Sequence, residues 1–198
     1  MAATRRRLAP EERRRHLIET ALHVFARQRY DETELEDVAS EAGVQRPLIY
    51  HYFPGGKKAL YLAVVEHAWQ LLVEQLDTSG DDPPAQRLPQ NLSRYLDLIE
   101  TDDAALAVVR QARRLEDPDV VAVIENASAL VAAGMAHNQL RDDAPSAVVL
   151  AGLRAFIGWF DVVLDQWQAG LLTRAQVEAL VAETLPAVAG AAVRADGA

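Results

Sequence analysis

A chain of 198 residues with 50% apolar and 25% charged side chains has the composition of a soluble globular protein with a full-sized core. It contains no cysteine, which excludes disulfide bonds, thiolate metal sites and cysteine nucleophiles. The net charge of −9 is uneven: residues 1–60 hold 11 Lys and Arg against 9 Asp and Glu, and residues 61–198 hold 9 against 20. Attraction to phosphate is local, within a Debye length of about 10 Å, so this distribution permits DNA binding without establishing it.

The N-terminal residues 1–10 are predicted to form a basic flexible arm that contains Arg5, Arg6 and Arg7. These arginines either reach an adjacent groove of bound DNA or simply keep the chain soluble. No apolar run follows them, so we expect no secretory signal and a cytoplasmic protein.

The next segment has the periodicity of an amphipathic helix that begins near Pro10, a residue preferred in a first helical turn. Glu11 and Glu12 suit the positive end of its dipole. One apolar stripe runs along this helix before Tyr30 and Asp31 end it, and it consists of Leu17, Ile18, Ala21, Leu22, Val24 and Phe25.

Two short helices follow. A capping box at Thr33 and Glu36 is predicted to open the first, which buries Leu35, Val38 and Ala39 and ends at Gly43. Pro47 lies in the first turn of the second, which continues through Tyr50. The break at residues 54–56 precedes a long fourth helix, predicted at about residues 57–77.

The rest of the chain also has helical periodicity, after a seam of Gly, Asp and Pro at residues 78–89. Further helices are predicted near 88–101, 103–115, 118–138, 145–168 and 173–194, the last kinked by Pro186. Residues 147–164 are nearly all apolar, but Arg154 and Asp161 indicate a buried helix and not a membrane span. The predicted fold class is therefore all-α, with about nine helices.

The region from Val38 to Leu60 carries the functional signal. Two short helices joined by a tight turn containing Gly are typical of a helix-turn-helix, in which the second helix enters the major groove of DNA. Ala39 and Gly43 are small enough for the two helices to approach closely. Leu48 and Ile49 provide apolar contact inward, while polar and aromatic residues remain to face DNA.

This region resembles the DNA-binding domain of the tetracycline-repressor (TetR) family over roughly residues 11–65. The resemblance rests on the spacing of several short motifs: Asp37-Val38-Ala39, Ala42-Gly43-Val44, Leu48-Ile49-Tyr50, Tyr52-Phe53 and Lys57-Lys58-Ala59-Leu60. The sequence departs from the family pattern at Gln45, where Ser or Thr is usual, at Glu34 and Glu36 near the phosphate side, and in a connection at 54–56 that is one residue longer than the commonest.

The resemblance implies a helix-turn-helix DNA-binding domain at residues 11–58 and a ligand-binding and dimerisation domain at 59–198. It also implies a homodimer that binds a palindromic operator and responds to an unknown small-molecule effector, without a cofactor, metal ion or membrane. A constitutive or architectural DNA-binding protein without ligand response is the alternative. No nucleophile–base pair, phosphate loop or metal spacing indicates an enzyme.

The candidate DNA-binding residues lie on or beside the third helix. Arg46 can read a guanine edge, and Gln45 can pair with adenine, although each is equally suited to phosphate or to solvent. Tyr50 and His51 fit a phosphate or a thymine methyl group. Lys57 resembles the lysine with which this family clamps phosphate, and Thr33 opens a helix whose amides can face phosphate. The full predicted set is Thr33, Gln45, Arg46, Pro47, Tyr50, His51, Tyr52 and Lys57.

Candidate residues in the C-terminal region are less distinct, because pockets and cores are both mostly apolar. Aromatic or polar residues on apolar helices are candidates to line a ligand cavity, with core packing as the alternative: Trp69, Tyr95, Arg110, Arg113, His137 and Trp159. The last two helices suit a four-helix dimer interface. The candidates there are Phe156, Phe160, Trp167, Val177, Leu180 and Val181.

Overall fold

The computed structural model describes residues 9–75 and 83–197, and within these ranges the chain forms nine helices and no strand. The helices are α1 (Pro10–Arg27), α2 (Leu35–Glu41), α3 (Arg46–Tyr52), α4 (Gly56–Val73), α5 (Pro84–Thr101), α6 (Ala104–Ala112), α7 (Pro118–Leu140), α8 (Ala147–Gln168) and α9 (Arg174–Asp196). The all-α prediction is confirmed. Arg5, Arg6, Arg7 and residues 78–82 of the predicted seam lie outside the described residues.

Two helices begin differently from the predictions. α2 begins at Leu35 after an N-cap at Glu34, whose backbone N–H donates to Asp37 (2.8 Å), so the predicted capping box of Thr33 and Glu36 is wrong by one residue. α5 begins at Pro84 and not near residue 88, with Pro89 inside it. Proline suits the first turn because the N–H it lacks has no intrahelical partner there, and the helix tolerates the single bond that Pro89 removes.

The described residues pack as two units. Unit 1 comprises residues 9–71 and 103–124, and unit 2 comprises residues 72–75, 83–102 and 125–197. α6 and the first turns of α7 therefore pack with the N-terminal helices. The sequence did not predict this grouping, because the residues are distant along the chain.

The core of unit 1 is built on one face of α1 and the inner faces of α2, α3 and α4. Side chains with no exposed surface there include Leu17, Phe25, Val38, Ile49, Leu60, Tyr61 and Val64. Phe25 and Tyr61 meet edge to face with ring centroids 4.9 Å apart, and the centroids of Tyr30 and Tyr61 lie 4.6 Å apart. The Gln111 side chain of α6 donates to the Phe25 carbonyl (2.9 Å), which ties α6 to the end of α1.

The core of unit 2 lies between α8 and α9, which bury Leu153, Phe156, Val177 and Leu185. A methyl group added at Gly152 would lie 2.9 Å from the Ala192 side chain, so the two helices approach too closely there for a larger residue. Arg174 at the start of α9 donates to Asp97 (2.6 Å) and Glu100 (2.7 Å) of α5. These bonds hold α5 against α9.

Three helices, α7, α8 and α9, are long and apolar enough to cross a membrane by length and composition. Only about a third of the most apolar stretch of α7 or α8 is buried inside the chain, and slightly less of α9. Unit 2 therefore presents much apolar surface that its own helices do not cover.

Candidate nucleic-acid interface

The helix-turn-helix is formed by α2, α3 and the turn between them. Gly43 adopts a left-handed backbone conformation (φ 62°), which an L side chain rarely adopts. The turn is closed by the Val44 N–H, which donates to the Ala39 carbonyl (2.9 Å). Val38, Ala39 and Ile49 are buried between the helices, so α3 is held by apolar contacts on one side and leaves its other side in solvent.

Most of the residues predicted to contact DNA share this solvent-facing side. Gln45, Arg46, Pro47, Tyr50 and His51 are exposed, and Tyr52 is half-buried. The side chains of Ile49 and Phe53 point into the core, so α3 has one apolar and one polar face. The polar face offers hydrogen-bond donors, acceptors and an aromatic ring, as reading the edges of base pairs requires.

Arg46 is held by two neighbours on this face. Its Nη1 donates to Glu36 of α2 (2.5 Å), and its Nη2 donates to the Tyr50 hydroxyl one turn along α3 (3.0 Å). The guanidinium carbon also lies 5.4 Å from the centroid of the Tyr50 ring. The bond to Tyr50, and then the bond to Glu36, raise the pKa of Arg46 above its ordinary value, so the side chain stays charged.

Thr33 and Lys57, also predicted to contact DNA, are turned inward. Thr33 has no exposed surface, and its hydroxyl donates to the Arg29 carbonyl (2.9 Å). The Lys57 ammonium donates to the carbonyls of Tyr30 (3.1 Å) and Thr33 (2.9 Å) and lies 4.9 Å from the centroid of the Tyr30 ring. In this arrangement Lys57 joins the start of α4 to the turn between α1 and α2.

Lys58, the next residue of α4, pairs with the start of α7. Its ammonium lies 2.8 Å from an Asp117 oxygen and 2.6 Å from an Asp119 oxygen. The bond to Asp117, and then the bond to Asp119, raise the pKa of Lys58, and the same contact with Lys58 lowers the pKa of Asp117. The first turn of α4 is therefore attached at two points within unit 1.

The predicted ligand-lining residues are divided between the two units. In unit 1, Trp69 of α4 is buried, and the Arg113 guanidinium lies 5.5 Å from the centroid of its ring, with Arg110 one turn earlier on α6. In unit 2, Tyr95 contacts Phe160, Trp159 contacts Phe156, and His137 pairs with Asp143 (2.5 Å). No group of three or more His, Asp or Glu side chains among the described residues can hold a metal ion.

The predicted dimerisation residues divide by burial. Phe156, Val177 and Val181 are buried within the chain itself, whereas Phe160 and Trp167 are half-buried and Leu180 is exposed. The first three contribute to the core between α8 and α9. Only the other three have side-chain surface left for a partner.

Several contacts of the site were not found from the sequence. The Arg46–Tyr50 pair has the i, i+4 spacing of helix neighbours, which is a readable signal. The pairing of Glu36 with Arg46, and of Lys58 with Asp117 and Asp119, joins residues from different helices. No local pattern marks such contacts, because they depend on how the helices pack.

Comparisons with known proteins agree with this geometry. A family model described as bacterial regulatory proteins of the tetR family matches residues 17–64, which include α2 and α3. The HTH-type transcriptional activator FasR of Mycolicibacterium smegmatis is 31% identical over 126 residues, covering 62% of this chain and 56% of FasR. The chain spans about half the length of the curated relatives it matches.

Solved structures extend the likeness to almost the whole chain. A tetR-family transcriptional regulator from Streptomyces coelicolor is 27% identical with a TM-score of 0.77, covering 96% of this chain and 86% of that one. FadR from Bacillus subtilis, solved in complex with stearoyl-CoA, shares the fold at 15% identity and a TM-score of 0.66, covering 88% and 96%. Regulators of this kind are not enzymes. The chain therefore carries, over residues 17–64, the DNA-binding domain of the TetR family of bacterial regulatory proteins, and its fold is that of tetR-family transcriptional regulators.

Proposed function

We propose that this protein is a homodimeric transcriptional repressor that binds a palindromic operator through α3 and is modulated by a small molecule. The observation that carries the proposal is the division of α3 into a buried apolar face and an exposed polar face, with Arg46 at the start of the exposed face. Such a helix, held by a small-residue turn, fits a major groove. The protein would act in the cytoplasm, where it meets chromosomal DNA.

Sequence reading is assigned to the first turns of α3. Arg46 has the donors for a bidentate contact to guanine, and Gln45 has the amide group that pairs with adenine. Tyr50 and His51 are exposed further along α3, and we expect them to contact a phosphate or a thymine methyl group. Each good bidentate contact contributes about 1–3 kcal/mol of discrimination between base pairs.

Dimerisation is assigned to the uncovered surface of unit 2. Val148, Ala151, Ala155, Gly158 and Val162 are exposed at intervals of three or four residues and form one stripe on α8. The buried residues of α8, among them Val149, Leu153 and Phe156, lie on a different face of the helix from this stripe. An apolar stripe of small residues suits close packing against its symmetry mate, and charged residues on the same helix, Arg154 and Asp161, disfavour a membrane.

An effector site is assigned to the surroundings of Trp69. The Trp69 indole N–H is buried and donates to no acceptor among the described residues, and Arg113 covers the ring. Trp69 lies on α4, the helix whose first turn holds Lys57 and Lys58. A molecule that moves Trp69 would therefore act on the helix that supports the reading unit. FadR, which was solved in complex with stearoyl-CoA, supports only the expectation that a small molecule binds this protein as well.

The first experiment is selection of bound sequences from random duplex DNA at physiological salt, with wild type and Arg46→Ala run in parallel. We expect wild type to enrich a palindrome and the variant to lose preference at one symmetric position in each half-site. Failure of wild type to enrich any sequence, together with a steep salt dependence, would favour the constitutive or architectural alternative.

Activation is a second candidate for the regulatory outcome, because FasR is named a transcriptional activator. A reporter gene placed behind the selected operator separates the two. Deleting the regulator raises expression if it represses and lowers expression if it activates.

A further inference from the structure

We propose that Glu36 is a specificity-determining residue, which fixes the Arg46 guanidinium on the exposed face of α3 and so sharpens the preference for one base pair in each half-site. The inference rests on the proposed DNA binding and names a residue of α2 that acts through a residue of α3. Glu36 is a positioning residue in this account, because it acts on DNA recognition through Arg46.

Two side chains hold the Arg46 guanidinium through three contacts. Glu36 accepts from Nη1, the Tyr50 hydroxyl accepts from Nη2, and the Tyr50 ring lies beneath the guanidinium. The Tyr50 ring lies beside Gly56, since a methyl group added at Gly56 would lie 3.3 Å from its Cε1. The guanidinium is thus fixed at two of its nitrogens and across one face.

A fixed guanidinium distinguishes bases better than a mobile one. Arginine has five N–H donors in a rigid fork, so the bonds to Glu36 and Tyr50 leave three donors with set directions. A guanine edge accepts such a fork in one geometry, whereas a phosphate accepts it in many. Holding the fork in place therefore favours base reading over phosphate contact.

The charge of Glu36 acts in the same direction. Glu36 and Arg46 are both about half-exposed, and a carboxylate at this surface repels phosphate and lowers affinity for all DNA. Without Glu36, Arg46 can swing to the nearest phosphate. The structure therefore leads to an unusual expectation for an acidic residue: its removal strengthens non-specific binding and weakens discrimination.

The test measures the affinity of wild type, Glu36→Gln and Glu36→Ala for three duplexes. These are the selected operator, the operator changed at the base pair for which Arg46→Ala loses its preference, and unrelated DNA. We expect both variants to bind unrelated DNA more tightly than wild type does. The ratio of operator to changed-operator affinity should fall about tenfold, within the range of one good bidentate contact. In the Glu36→Ala/Arg46→Ala double variant this ratio should fall no further than in Arg46→Ala alone.

Glu32→Gln is the matched control, because it removes the same charge from an exposed residue in the turn between α1 and α2. It should tighten binding to all three duplexes equally and leave the ratio unchanged. Unfolding curves establish that each variant is folded. If Glu36→Ala does not fold, the test is made with Glu36→Gln alone.

A wild-type ratio in Glu36→Gln and Glu36→Ala would overturn the role of Glu36 while leaving DNA binding intact. If Glu32→Gln lowered the ratio of operator to changed-operator affinity as much as the Glu36 variants do, the role of Glu36 would also be overturned. Absence of any enriched sequence for wild type would overturn the proposed function and this inference together.

Discussion

At the scale of single residues, the two lysines at the start of α4 bind different partners. Lys57 serves backbone carbonyls of the turn between α1 and α2, and Lys58 serves carboxylates at the start of α7. Both attach α4 to neighbours within unit 1. Phosphate binding by Lys57 stays a prediction, and its internal bonds compete with it.

Replacing Lys57 by Met separates these two roles. The carbonyls of Tyr30 and Thr33 lose a charged donor, so we expect the free energy of unfolding to fall by about 1–3 kcal/mol. If Lys57 of the wild-type protein keeps its bonds to these carbonyls when DNA is bound, the Lys57→Met variant should have the wild-type slope of log affinity against log salt concentration. A slope reduced by about one unit would instead assign Lys57 to a phosphate.

The Lys58–Asp117 contact predicts a pH dependence of stability. The lowered pKa of Asp117 means that its contribution is present above the ordinary carboxyl pKa of about 4 and is lost as pH falls through the lower folded-state value. The raised pKa of Lys58 means that its contribution is present below the ordinary value of about 10 and is lost as pH rises through the higher folded-state value. The contact is therefore fully formed between about pH 5 and pH 9.

Urea unfolding of Lys58→Met, Asp117→Asn and the double variant measures this coupling. We expect a favourable coupling energy at pH 7 that declines towards zero as pH falls from about 5 to 2. The exposed pair Arg15–Glu19, with 3.8 Å between the charged atoms, is the comparison and should show weaker coupling at pH 7. Equal coupling at both ends of this pH range would contradict the assignment.

At the scale of elements, the contact between α8 and α9 depends on small residues. Gly152→Ala places a methyl group 2.9 Å from the Ala192 side chain, so the helices must separate. We expect a loss of about 1–3 kcal/mol in the free energy of unfolding, despite the better helix propensity of alanine.

The exchange variant Gly152→Ala/Ala192→Gly tests the cause. It moves the methyl group from one helix to the other and removes the clash. The double variant should therefore lose less free energy of unfolding than the sum of the losses in the two single variants. Strict additivity would show that the glycine matters for some reason other than this contact. Thermal or urea unfolding provides the measurement.

At the scale of the whole molecule, the exposed stripe on α8 predicts how two copies associate. Among the described residues, and apart from the neighbouring backbone of α8, no atom lies within 4 Å of a methyl group added at Gly158, so Gly158→Glu should fold normally. If this stripe is the interface, two buried carboxylates would oppose each other across the two-fold axis. We expect sedimentation to give the monomer mass of 21.7 kDa in place of twice that value.

Leu130→Glu is the matched control, since Leu130 is 74% exposed on α7 and lies outside the stripe. It should leave the mass and operator binding at their wild-type values. A dimeric Gly158→Glu protein would exclude α8 as the centre of the interface.

The helices and the helix-turn-helix of α2 and α3 could be predicted from the sequence. Periodicity located the helices because an amphipathic helix repeats its apolar residues every three or four positions, and Gly43 and Pro47 marked the turn because their backbone requirements are local. The exposed residues of α3 followed from the same periodicity. These features depend on neighbours in the chain, so they can be read from it.

Tertiary structure decided which residues meet across elements. Whether Glu36 caps α2 or pairs with Arg46, and whether Lys57 faces solvent or the carbonyls of Tyr30 and Thr33, depends on helix packing. The same holds for Phe156 and Val177, whose apolar character suited an interface but which lie in the core between α8 and α9. An apolar side chain is driven from water equally by its own chain or by a second copy, so only the packed structure distinguishes the two.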